Sequence, residues 1–342
     1  MLTTQDFNTF NFIDFVRQNP EQHERFELKI EQGKAIFHDA GIIEFVPNQL
    51  SDQFVCLSCG VHGNETAPME IISDMVRDIL VGSQALSVNL LILLGNPKAM
   101  QQQERFLEFN LNRMFNHHWK SYLEADAHCY EALRAKRLEE AVQDFFDKSP
   151  ADSRRYHYDL HTAIRASKHQ RFAIYPYLDG REHKVEQLAF MQDCGVNTVL
   201  LYHKASSTFS YHTSHHFKAD AFTVELGKVK PFGGNNREDF EQAENSLRQL
   251  VASNYHFNND REIDDLNLFA VKKELLRVSD DSHLNVDDDL ANFTEFEQGF
   301  ELLSDPAEPY SIESNGEAIV FPNNKVPIGQ RMALLVEPVS LG

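Results

Sequence analysis

Positive charge is what this sequence most lacks. Its 342 residues carry 32 Lys and Arg against 52 Asp and Glu, a formal net charge of −20, whereas a nucleic-acid partner requires a basic footprint. Cysteine is scarce too. Four residues are too few for a disulfide framework in a chain of this size. Cys56 and Cys59 form C-x-x-C, but inside a short apolar run their side chains would point to opposite faces of a sheet, as buried small hydrophobes. No stretch approaches the ~18 consecutive apolar residues of a membrane-spanning helix, so no membrane partner is expected. Residues 1–16 lack a basic segment followed by an apolar one, which argues for the cytoplasm. Glycine (15) and proline (12) are sparse, and there are no repeats or low-complexity tracts. What is present is a chain 42% apolar, able to bury a sizeable core and longer than a typical single domain.

The pattern predicts an α/β fold. Residues 5–17, apolar at Phe7, Phe10, Phe12, Ile13 and Val16, read as an amphipathic helix. Residues 26–30, 35–37 and 42–46 read as short strands, the first two a hairpin across Gly33. A buried strand at 54–59 precedes a helix with Pro68 in its first turn, then a strand at 90–94 that ends at Gly95-Asn96-Pro97. One long helix is expected over 124–146, apolar at Leu133, Leu138, Val142 and Phe146. Strands are expected at 156–161, 172–175, 198–202 and 221–227, with helices near 184–194 and 239–252. Such alternation implies a mixed, mostly parallel sheet covered by helices. Composition turns polar over 258–265, read as a linker, and strands at 266–278, 293–296, 318–321 and 331–336 make a smaller C-terminal β-rich domain. The expected division is therefore 1–258 and 259–342. The acidic runs at 280–281 and 287–289 lack the spaced glycine and terminal glutamate of a calcium loop and read as solvated turns.

Chemistry concentrates at Gly60-Val61-His62-Gly63-Asn64-Glu65, where an imidazole and a carboxylate stand three residues apart on a strand-to-helix loop. Alone, H-x-x-E recurs by chance in solvated loops. His161 ends another strand and Glu225 is the only acid in an apolar strand-end run, and ligands of open α/β sheets bind beyond the carboxyl ends of strands. His62, Glu65 and His161 would make the three-ligand set of a catalytic zinc site, with Asp159 or a backbone carbonyl orienting an imidazole. Burial of Glu225 would raise its pKa toward that of a general base. Arg105, Asn112 and Arg113 fit as electrophile and carboxylate clamp. His117-His118, His212 and His215-His216 read as loop histidines, because none has an acidic partner at ligand spacing, although His212 could line the pocket.

Taken together, residues 60–65, Asn96-Pro97, Leu111-Asn112-Arg113-Met114-Phe115, Asp159-Leu160-His161-Thr162 and Val224-Glu225-Leu226-Gly227 resemble the aspartoacylase and succinylglutamate desuccinylase family, relatives of zinc carboxypeptidases. The resemblance spans roughly residues 53–230. It implies one zinc on His62, Glu65 and His161, Glu225 as general base, Arg105 polarising the scissile carbonyl, and Asn112 and Arg113 holding a carboxylate. The stretch 159–169, with 172–176, is similar to the desuccinylase branch, which completes bacterial arginine breakdown through succinylated intermediates. The substrate implied is a small anionic N-acyl amino acid. Its further carboxylate would fall to Arg165 or Lys168, just past His161. The loop 206–214, where aspartoacylases carry an arginine, has none, which leaves the distal pocket open. The rival readings are an N-acetyl amino-acid deacylase, a peptidase and a non-catalytic zinc-binding protein. The last has no need of Glu225 and Arg105 beside the ligands.

Overall fold

The computed structural model describes residues 7–21, 24–258, 263 and 265–340. The expected helix start at residue 5 and most of the expected linker lie outside the described residues. In chain order the elements are α1 (Phe12–Gln18), β1 (Phe26–Ile30), β2 (Gly33–Asp39), β3 (Ile42–Pro47), β4 (Gln53–Cys59), α2 (Thr66–Val81), β5 (Asn89–Leu94), α3 (Pro97–Gln102), α4 (Trp119–Ala125), α5 (Tyr130–Phe146), β6 (Arg154–Ala163), β7 (Phe172–Tyr175), α6 (Val185–Asp193), β8 (Thr198–Leu201), α7 (Phe209–Phe217), β9 (Asp220–Lys228) and α8 (Glu241–Val251). The C-terminal strands follow: β10 (Asn267–Leu276), β11 (His283–Leu284), β12 (Thr294–Glu295), β13 (Glu301–Ser304), β14 (Tyr310–Ser311), β15 (Ala318–Val320) and β16 (Arg331–Val339).

One mixed sheet runs β1-β2-β3-β5-β4-β6-β9-β7-β8-β10-β16-β15-β12, and a small second sheet runs β11-β13-β14. Parallel pairing joins β5, β4, β6 and β9, and again β7, β8 and β10. The flanks are antiparallel, so the sheet is less parallel than expected. Residues 31–32 and 40–41 are too short to connect anything but antiparallel neighbours. Helices α1, α2, α6 and α8 pack an apolar cluster against one face, and α5 with Phe209 of α7 packs another against the opposite face. Cys59 belongs to the first cluster and Cys56 to the second, both buried and free, as the alternation of a strand requires. The C-terminal strands form the smaller β-rich domain, with Leu275, Leu284, Leu303 and Leu335 in a core of their own. It continues the large sheet through the β8–β10 pair.

Two expected helices are divided, each at a side chain that competes for the backbone. Asn11 separates a 3-10 turn, Phe7–Thr9, from α1, because its Oδ1 accepts from the Asp14 amide at 3.0 Å and caps a new helix. Asp126 is extended (φ −143°) and accepts from the His128 amide at 2.9 Å, so α5 starts only at Tyr130. In α5 the expected core position Leu133 is 44% exposed. Its neighbour Arg134 is buried instead, donating to the carbonyls of Gly95, Ala40 and Leu94 at 2.7–2.9 Å. Strand-end carbonyls withdrawn from water need donors, and a guanidinium supplies several at once.

Candidate active site

The loop 60–65 leaves β4 and enters α2, with Glu65 at the helix N-cap position. Gly63 allows it to pass close to α3: a Cβ there would lie 2.2 Å from the Ala99 carbonyl carbon and 2.4 Å from the Met100 amide nitrogen. The Gly63 amide also donates to the Arg105 carbonyl at 3.1 Å, which ties the two motifs together. In the central sheet β6 and β9 pair in parallel with His161 opposite Glu225. Strand pairing thus sets the distal histidine and the carboxylate beside each other, over the loop that carries His62 and Glu65.

His62, Glu65 and His161 are buried and offer donor atoms that all lie within 4.8 Å of one another, a set able to hold a metal ion. The Nδ1 atoms of both imidazoles face Glu65, His62 at 2.7 Å and His161 at 2.9 Å. Their Nε2 atoms are held from behind, by Asn110 Oδ1 at 3.0 Å and Asp159 Oδ2 at 2.9 Å. Asp159 orients His161, one of the alternatives left open by the sequence, and Asn110 is a residue that pattern reasoning passed over. Behind them runs a buried relay: Ser58 Oγ donates to Asp159 at 2.5 Å and meets His157 at 2.8 Å, and His157 reaches Thr213 at 2.8 Å.

Charge is shared unequally. Burial pushes His62 down to about 4. For His161 burial acts in the same sense, but the carboxylates of Asp159 and Glu65 outweigh it and hold the imidazole well above its usual value. Burial would raise Glu65, yet the two imidazoles keep it well below the carboxylate range. Glu225 is different. Burial, reinforced by the negative charge of Glu65, raises it to about 7, and its Oε2 has no hydrogen-bond partner. A carboxyl group near neutrality can both accept and return a proton.

Arg105 stands against the cluster, its Nη1 2.6 Å from Glu65 Oε1. Asn112 is buried and accepts from the Phe209 amide at 3.2 Å, while Arg113 donates to the Asn112 carbonyl at 2.8 Å. Arg113 keeps an exposed surface among surrounding protein groups; desolvation, then the charges of Arg331 and Arg105, lower it to about 10. Arg331 opens β16 of the C-terminal domain and donates to Tyr202 Oη at 2.9 Å. Its only trace in the sequence is a lone cation at the head of an apolar strand. Arg165 donates through Nη1 to the carbonyls of Asp288 and Leu290. His212, His215 and His216 lie on α7 and not in a loop.

Comparison with known proteins supplies the family. Residues 51–251 match the Succinylglutamate desuccinylase/Aspartoacylase catalytic domain, and residues 264–339 the AstE/AspA barrel-sandwich hybrid domain. A protein of Pseudoalteromonas atlantica named succinylglutamate desuccinylase is 43% identical over 88% of this chain and 86% of its own. One of the same name from Shewanella denitrificans is 41% identical over 96% and 95%. The crystal structure of the succinylglutamate desuccinylase from Chromobacterium violaceum superposes with a TM-score of 0.85 at 38% identity, covering 97% of this chain and 98% of that one. Fold, site and relatives define a hydrolase acting on an amide. Within that class the chain belongs to the succinylglutamate desuccinylase/aspartoacylase family. Among the described residues no helix is long and apolar enough to cross a membrane.

Proposed function

We propose that this protein hydrolyses N2-succinyl-L-glutamate to succinate and L-glutamate, the closing step of arginine degradation through succinylated intermediates. The observation that carries the reading is that Arg105 and Arg331 both lie near enough to Arg113 for their charges to act on it, and that Arg105 acts as well on the buried Glu225, which stands near neutrality. A chain of net charge −20 that gathers guanidiniums at one point is built for a polyanion. The names of relatives about 40% identical over most of the chain support the same substrate.

Zinc fits the donor set of two imidazoles and a carboxylate whose outward nitrogens are already held in orientation. Bound by His62, Glu65 and His161, it would supply a Lewis acid and lower the pKa of water. The residues of the chain do the rest. Glu225 takes a proton from the attacking water as its oxygen bonds to the succinyl carbonyl carbon, and returns that proton to the glutamate nitrogen as the C–N bond breaks. Arg105 steadies the negative charge that develops on the carbonyl oxygen. Arg113 takes a carboxylate of the amino-acid half, and Arg331, rather than Arg165, takes that of the succinyl group. The test is a panel of N-acyl amino acids presented to the zinc-loaded protein with released primary amine as readout. Acetylaspartate cleaved as well as succinylglutamate would replace this assignment with an aspartoacylase.

A further inference from the structure

A second group of histidines stands outside the site described above. His212, on α7, is 3% exposed, and neither of its ring nitrogens has a hydrogen-bond partner. Glu139 Oε1 is 3.5 Å from Nδ1, in ion-pair range but without hydrogen-bond geometry. An imidazole buried with both nitrogens unpaired is costly, and a ligand that bonds to it removes that cost. His216 follows one helical turn later, its ring centroid 4.7 Å from that of His212. His117, which follows the 3-10 turn Leu111–Arg113, completes a triangle at 5.7 Å from His212 and 5.2 Å from His216. The separation of His62 and His161 is 5.2 Å. Glu139, on α5, holds His117 Nδ1 at 2.9 Å and is itself fixed by Trp119 Nε1 at 2.8 Å and the His117 amide at 3.0 Å. His117 Nε2 is thereby left for a ligand, with a carboxylate behind the ring as metal-binding histidines usually have.

We propose that His117, His212 and His216, with Glu139 behind His117, bind a second divalent cation of the zinc type. Imidazole suits zinc, copper and nickel, and binds them in its neutral form. Burial and the neighbouring histidines keep that form, pushing His212 down to about 2 and lowering His216 as well. Among the described residues only His62, Glu65 and His161 already converge to within 4.8 Å. Here the rings must turn. His117 and His216 lie at the surface with space to do so, although His216 gives up a 3.0 Å contact with Asn116 Oδ1. The cation would fasten α7 to the loop that also bears Asn112 and Arg113, a structural role.

The test is zinc content after equilibrium dialysis of the full chain against buffered Zn2+. The His117→Gln/His216→Gln variant changes only exposed side chains; it should hold one equivalent fewer than wild type. His212→Gln should show the same loss, and near-identical circular dichroism would establish that it folds. Equal zinc in wild type and the double variant overturns the proposal, and so does a double-variant loss that a folded His212→Gln fails to reproduce, since surface histidines alone would then explain it. The effect of His161→Ala on the count bears on the first centre alone, so either site can fail without the other.

Discussion

Replacing Arg331 by methionine tests how the substrate is chosen. Arg331 Nη1 donates to Tyr202 Oη at 2.9 Å and lies 3.7 Å from Glu274 Oε1. Glu274 keeps a partner when Arg331 is removed, because Lys204 Nζ is 2.8 Å from its other oxygen. The substitution therefore leaves no buried carboxylate unpaired, and the fold should tolerate it. A hydrogen bond to a charged group contributes about 1.5–3 kcal/mol, so kcat/KM for succinylglutamate should fall by about tenfold to somewhat over a hundredfold. Acetylglutamate, which has no acyl carboxylate, should lose almost nothing. The assay is a side-by-side measurement of both substrates with wild type and Arg331→Met, repeated at high ionic strength, where the wild-type preference should shrink as the attraction is screened. Equal losses on the two substrates would mean that Arg331 acts through the position of Arg113 or the fold. No loss on either would move the acyl carboxylate to another residue.

Other expectations follow from the same geometry. His161→Ala should remove the zinc held at the first centre, checked by metal analysis. Glu225→Gln should keep zinc and lower kcat by at least ~10²-fold, the low end for loss of a general base; near-normal turnover would place the base elsewhere. Gly63→Ala drives a methyl into the backbone of α3, and such overpacking costs about 1–3 kcal/mol, to be read as a lower unfolding midpoint together with weaker zinc retention. Glu44 is a buried carboxylate; burial raises its pKa, but its contacts with His38 and Lys148 outweigh this and leave the pKa lowered. A carboxylate depressed on folding stabilises above its unfolded pKa, about 4.3, and loses that contribution as pH falls through the folded value. Lys148→Met should therefore destabilise at neutral pH, and the gap to wild type should narrow in acid denaturation toward low pH.

Local pattern was enough for much of the site. His62 and Glu65 are three residues apart, and the strand before them and helix after them show in the apolar periodicity, so the sequence by itself determined that the two face one point. It also marked His161 and Glu225 as strand-end residues, since alternation tells where a strand runs. That they stand opposite each other was decided only when β6 and β9 paired, because register between strands is set by packing and not by either strand alone. Short-range competition for the backbone, as at Asn11 and Asp126, was legible in principle but is easily overridden by a continuous apolar pattern. Arg134 in place of Leu133 was not legible, since it depends on which carbonyls lie across the sheet. The same holds for Asn110 behind His62, for Glu139 beside His117 and His212, and for Arg331 beside Tyr202. Each pair joins residues far apart in the chain, and only tertiary structure brings Arg331 of the C-terminal domain near enough to Arg113 for their charges to interact.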